Sequence, residues 1–150
     1  MIVARSKPKK VFVDTSAWLA LLVKKDNNHR LVAEHYKKLL NNKNPLITSS
    51  LVIGETFTLL RYRHNQFSQK PYFFLQFIEE SPSIETVYSS HVIEKKGFSL
   101  LEKFHDHRFS FVDATSFALM DDLKIETALT LDNHFSIMGF EVIPPDKNEF

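Results

Sequence analysis

The 150-residue chain has no cysteine, which removes disulfides, thiol nucleophiles and thiolate zinc cages from consideration. It has only 3 glycines, and neither G-x-G-x-x-G nor G-x-x-x-x-G-K-[ST] occurs, so neither common glycine-rich phosphate cradle is available. No apolar stretch reaches membrane-spanning length, and the opening ten residues carry no long apolar run; the expected compartment is the cytoplasm. Excess charge of one sign is also missing. The 19 Lys and Arg against 18 Asp and Glu leave a net +1, so any polyanion has to be gripped by local patches rather than drawn in by a whole-molecule field.

What remains is the composition of a folded domain: 43% apolar and 25% charged residues in a length that suits one core. Residues 1–9 read as a short basic leader and 10–150 as a single domain. Val11-Phe12-Val13 is too short for a helix and does not alternate, which suits a strand covered on both faces. Thr15 or Ser16 is placed to cap the helix that follows, over Ala17 to Val23. Val32, Tyr36, Leu39 and Leu40 form one face of a helix over about 29–41. Strands follow at 45–48, 84–88, 127–131 and 140–143. They alternate with helices opened by Ser49 or Ser50, running from Tyr72 to Glu80, marked by Ile93, Gly97, Leu100, Leu101 and Phe104, and capped by Ser110. Short buried strands separated by helices predict a three-layer α/β/α sandwich around a parallel sheet of about five strands.

In an open sheet of this kind, chemistry is expected outside the carboxyl ends of the strands. Asp14 stands directly after the first apolar run and Asp132 directly after Ala128-Leu129-Thr130-Leu131. Either alone also reads as a turn or cap residue. Glu55 falls among Leu51, Val52, Leu59 and Tyr62 on its helix, a costly place for a carboxylate unless something compensates it; an ion pair with Arg61 or Arg63 is the plain alternative. Asp113, in Ser110-Phe111-Val112-Asp113, fits a capping box. Together, four carboxylates in one partly buried pocket would repel, and a divalent cation relieves that conflict. Oxygen donors without cysteine suit Mg²⁺ or Mn²⁺, a set that supports attack of water on a phosphodiester.

These residues resemble a known family. Val11-Phe12-Val13-Asp14-Thr15-Ser16, Glu55-Thr56-Phe57-Thr58-Leu59-Leu60-Arg61, Phe111-Val112-Asp113-Ala114-Thr115-Ser116 and Ala128-Leu129-Thr130-Leu131-Asp132-Asn133-His134-Phe135 are similar to the motifs of the PIN domain, above all in VapC-type toxins of toxin–antitoxin pairs. Their acids appear in the family's order, 41, 58 and 19 residues apart. The resemblance implies a metal-dependent ribonuclease acting on single-stranded regions of RNA. Asp14, Glu55 and Asp113 map to the family's acidic triad and Asp132 to its less constant fourth acid. Thr15 or Ser16 takes the hydroxyl position beside the first Asp, with Ser116 a further supporting hydroxyl. The acids serve mainly as ligands for one or two Mg²⁺ ions, with Mn²⁺ as substitute, and Asp132 is the candidate for orienting the attacking water. The family also implies a cognate antitoxin and a homodimer.

Arg61 and Arg108 are the candidate phosphate contacts, with Arg63, His64, Lys95, Lys96, His105 and His107 nearby; Lys95 and Lys96 read better as a solvated face, and His105-Asp106-His107 as incidental. The run Phe67, Tyr72, Phe73, Phe74, Phe77 and Ile78 exceeds what one helix needs for a core and is the expected dimer surface. A haloacid-dehalogenase-type phosphotransferase would need a second Asp where Ser16 stands, and a receiver domain's acid pair and late Lys do not fit. A stand-alone PIN nuclease of RNA processing and a non-catalytic scaffold of the same fold are the remaining alternatives.

Overall fold

The computed structural model describes residues 4–63 and 68–145; His64 and Phe67 lie outside them. Five parallel strands form one sheet in the order β3-β2-β1-β4-β5. The three central strands, β1 (Val11–Val13), β2 (Leu46–Ser49) and β4 (Thr127–Leu129), are buried along their whole length, which is why they lack a two-residue alternation. The edge strands β3 (Ile84–Val87) and β5 (Glu141–Ile143) expose Glu85 and Glu141, charges that discourage edge-to-edge pairing.

The helices are α1 (Thr15–Leu22), α2 (His29–Asn41), α3 (Ser50–Arg63), α4 (Lys70–Glu80), α5 (His91–Lys103), α6 (Phe111–Asp122) and α7 (His134–Ile137). The chain winds from β1 outward through β2 to β3, then crosses back and winds from β4 to β5. Right-handed crossovers put the helices of the two halves on opposite faces of the sheet: α2, α1, α3 and α4 pack in that order, and α5 packs on α6. On the first face Trp18, 1% exposed, sits among Tyr36, Phe74 and Phe77. On the other, Phe12 stacks on Phe135, which meets Phe117 edge-on. Each such buried side chain contributes about 1.5–3 kcal/mol.

Several local expectations are corrected. The first helix begins at Thr15 with Asp14 in the N-cap position, and no side chain caps it; the Ser16 hydroxyl is used elsewhere. Of the two serines expected to open α3, Ser49 caps it, as foreseen, accepting from Val52 N at 3.1 Å. The fourth strand stops at Leu129 rather than running to Leu131, and α7 was not foreseen at all. On α3 the buried stripe is Val52, Thr56 and Leu60, so Glu55 stands at its margin and Tyr62, expected inside, is 78% exposed. The aromatic run on α4 divides. Phe74 and Ile78 belong to the core and Phe77 packs on Trp18, while Tyr72 and Phe73 are exposed.

The α5–α6 crossing depends on Gly97. A Cβ there would stand 2.9 Å from Thr115 Cγ2 and 3.3 Å from Thr115 N. The Thr115 hydroxyl donates to the Phe111 and Val112 carbonyls, 3.0 Å from each, which holds the methyl in place. Gly97→Ala gains about 0.8–1 kcal/mol of helix propensity but meets an overpacking cost of about 1–3 kcal/mol. Urea unfolding is expected to show a net loss of up to about 2 kcal/mol; a higher midpoint would mean the helices are not in this contact.

Candidate active site

The reversal of winding falls between β1 and β4, where an open α/β sheet leaves a crevice at its carboxyl edge. The register pairs Val13 with Leu129, and Asp14 N donates to Leu129 O at 3.1 Å. Asp14 and Thr130 therefore leave the sheet side by side. Asp14 Oδ2 accepts from Thr130 Oγ1 at 3.0 Å and from Ser16 Oγ at 3.1 Å. Ser16 Oγ in turn accepts from Leu131 N at 2.9 Å, and Thr130 Oγ1 from Asp132 N at 3.0 Å. Each hydroxyl has one proton and both are given to Asp14, so the 3.2 Å contact between the two hydroxyls follows from their shared acceptor.

Asp132 begins the turn into α7, its Oδ1 accepting from His134 N at 2.9 Å. Asp113 comes from the opposite side, at the start of α6. The capping box foreseen for it is present: Ser110 N donates to Asp113 Oδ2 at 2.9 Å and Asp113 N to Ser110 Oγ at 3.0 Å. The cap occupies Oδ2 only, so capping does not exhaust the carboxylate. Helix α6 is buried without interruption from Ala114 to Met120, which anchors its first turn against the sheet. Glu55 reaches the same place from α3.

These acids feel one another. Asp14, 4% exposed, is pushed up to about 6, chiefly by burial, with the Thr15 backbone N–H opposing and the charge of Asp113 adding to the rise. Burial also raises Glu55, against the pull of the Thr15 hydroxyl, and the charges of Asp113 and Asp132 raise it further. Asp113 is raised by burial, held back by the Ser110 backbone N–H, and raised again by Asp132. Among the described residues no Lys or Arg pairs with any of the four. The ion pair with Arg61 or Arg63 considered for Glu55 is not formed, although the Arg63 charge lowers its pKa modestly.

His134 Nδ1 is buried in this neighbourhood with no hydrogen-bond partner, while the buried Thr15 hydroxyl acts on Glu55. One ligand atom each from Asp113, Asp132 and His134 lies within 4.8 Å of the others. Oxygen-rich donors, their mutual repulsion and a buried imidazole nitrogen without a hydrogen bond fit a dication.

Of the other candidates, Ser16 joins the network, whereas Ser116 donates to Val112 O at 2.7 Å, an ordinary helix back-bond. Arg61 and Arg108 are exposed. His105 faces its own helix end, with Nδ1 3.2 Å from Glu102 O, and His107 pairs with Asp106. Thr130 and His134 are the residues that sequence reasoning passed over. The signals were a hydroxyl two positions before Asp132 and an imidazole two positions after it.

A PIN domain family model matches residues 11–141. The chain is 34% identical over 137 residues to the 23S rRNA-specific endonuclease VapC20 of two Mycobacterium tuberculosis strains, covering 91% of this chain and 99% of the relative. The crystal structure of M. tuberculosis VapC20, a Sarcin-Ricin loop cleaving toxin, superposes with a TM-score of 0.76 at 34% identity, over 87% of this chain and 95% of that one. FitAcB from Neisseria gonorrhoeae shares the fold at a TM-score of 0.63 and 17% identity, over 88% and 95% of the two chains.

Proposed function

The chain belongs to the PIN-domain family, and from that premise we propose that it is a metal-dependent endoribonuclease of the VapC toxin type whose reaction centre is formed by Asp14, Glu55, Asp113 and Asp132. The single observation that carries the assignment is the convergence of those carboxylates, uncompensated by Lys or Arg, at the crevice between β1 and β4. Mg²⁺ or Mn²⁺ held by these acids would activate a water and neutralise charge developing on a phosphodiester.

The protein's own groups do the rest. Ser16 and Thr130 orient the Asp14 carboxylate and tie it to the strand end that carries Asp132. The Ser110 cap fixes the direction of Asp113. Asp132, with only part of its carboxylate engaged by the α7 turn, is the acid left to orient an attacking water. Arg61 and Arg108, both exposed, are assigned to phosphates of the bound strand, a positioning role without sequence readout.

The substrate class follows the relatives, which are named for cleavage of 23S rRNA: a single-stranded loop of a structured RNA. A cognate antitoxin is the expected partner. A homodimer through α4 is supported by Tyr72 and Phe73, 52% and 59% exposed, apolar surface that the core leaves uncovered. Among the described residues no helix is long and apolar enough to cross a membrane.

The test is cleavage of ribosomal RNA by the purified chain, with 5′ ends mapped by primer extension. Discrete new ends are expected with Mg²⁺ or Mn²⁺ and none after chelation. Undiminished cutting in excess chelator would remove the metal-dependent reading.

A further inference from the structure

We propose that His134 Nδ1 is a direct ligand of the cation, and that this nitrogen biases the site toward Mn²⁺ over Mg²⁺; the inference rests on the acids forming a cation site as above. Among the four acids only oxygen donors were expected. His134 adds a fifth group of different chemistry, and three observations aim it inward.

The first is the state of Nδ1. It is inaccessible to solvent and has no hydrogen-bond partner, although Asp132 Oδ1 lies 3.2 Å away and Asp113 Oδ2 3.6 Å away. A ring N–H donated to a carboxylate at such a distance normally lines up with the oxygen. Asp132 Oδ1 is within reach yet makes no hydrogen bond with it, and Asp113 Oδ2 stands too far for one, so neither carboxylate accounts for the nitrogen's orientation.

The second is spacing. Two donor atoms each about 2.1 Å from one dication and at right angles stand about 3 Å apart. Separations of 3.2 and 3.6 Å are those of neighbouring ligands on one ion.

The third is rigidity. His134 opens α7 with its backbone N–H on Asp132 Oδ1, 2.9 Å away. Its ring meets Phe109 edge-on at 5.0 Å and 77°, and Phe109 is in turn fixed edge-on against Phe117. The imidazole is held facing the acids before any ion arrives, which lowers the ordering cost of binding.

The selectivity follows from donor softness. Mg²⁺ prefers oxygen ligands and retains its waters, whereas imidazole nitrogen suits the transition metals increasingly along the series that begins at Mn²⁺. Adding one nitrogen to a carboxylate site therefore strengthens Mn²⁺ binding more than Mg²⁺ binding.

The experiment is pulsed EPR, by electron spin echo envelope modulation, of the full chain loaded with Mn²⁺, unlabelled and with ¹⁵N-histidine. It is accompanied by Mn²⁺ and Mg²⁺ titration of the wild type and His134→Gln. A nitrogen modulation that changes with the isotope and vanishes in His134→Gln is expected, and the Mn²⁺-over-Mg²⁺ preference is expected to fall by about tenfold in the variant. Mn²⁺ bound with no nitrogen modulation would overturn the inference while leaving the acidic cation site standing. Modulation retained in His134→Gln would also overturn it, assigning the signal to another of the seven histidines. Failure of the wild type to bind either ion would remove the cation site and the inference together. Should His134→Gln not fold, His134→Asn is read in the same way, and wild-type Mn²⁺ bound without nitrogen modulation overturns the inference by itself.

Discussion

Asp14→Asn is expected to reduce RNA cleavage more than about a hundredfold while making the metal-free protein more stable at pH 8. Loss of an outer partner of a metal ligand costs about 10–100-fold, and Asp14 is placed closer than that. The stability gain comes from what burial does to the charge. In the fold the carboxyl is raised from 3.8 to about 6, so between those values the folded state binds the proton that the unfolded chain has released. Stability must then fall as pH rises through this window. At about 1.4 kcal/mol per pKa unit, the ionised carboxylate costs the metal-free fold about 3 kcal/mol above pH 6. Asparagine keeps an oxygen for the Ser16 and Thr130 hydroxyls and carries no charge to desolvate. Urea unfolding in chelator is expected to give a stabilised variant at pH 8, by about 1–3 kcal/mol, and little difference at pH 4. A variant that is inactive but also destabilised at pH 8 would mean that Asp14 holds the fold together rather than straining it for function.

The second large effect is stabilisation by the ion itself, and its dependence on pH. A cation bound only by the folded state stabilises it by about 2.7 kcal/mol at a hundred times its dissociation constant. In a chain of this length that raises the melting temperature by roughly 5–10 °C. Binding requires the acids to be ionised, so an Asp14 raised to about 6 competes with protons. It is about nine-tenths protonated at pH 5, and Mn²⁺ affinity is expected to drop about tenfold between pH 7.5 and pH 5 on its account. The raised Glu55 and Asp113 act in the same direction. Calorimetric titration at the two pH values, in buffers of different ionisation enthalpy, checks both the affinity and the protons released. Equal affinity at both would contradict a site built from proton-holding acids.

The parts of this site that were legible in the sequence are those written locally. An apolar run that ends in an acid marks a strand's carboxyl end, and that found Asp14 and Asp132. Asp113 was visible as a capping residue, and the structure shows that cap, made through one oxygen of the carboxylate. Glu55 was noticed for the right oddity but in the wrong surroundings, because the stripe on α3 is set by packing on α1, α4 and α6, which its own periodicity does not reveal.

Thr130 and His134 were illegible for a different reason. Thr130 acquires meaning only when the register sets Leu129 beside Val13, a pairing across more than a hundred residues. His134 depends on a four-residue helix with no pattern of its own. The aromatic surplus on α4 was half explained by Trp18, whose socket takes Phe74 and Phe77; nothing near residue 74 in the chain announces that partner.

The most direct measurement is anomalous X-ray scattering from crystals of the protein soaked in Mn²⁺ at neutral pH. The expected result is an anomalous peak in the crevice between β1 and β4, within coordination distance of carboxylate oxygens of Asp14 and Asp113, that disappears in Asp14→Asn. A peak located only elsewhere, with Asp14, Glu55, Asp113 and Asp132 left free of the ion, would contradict the account.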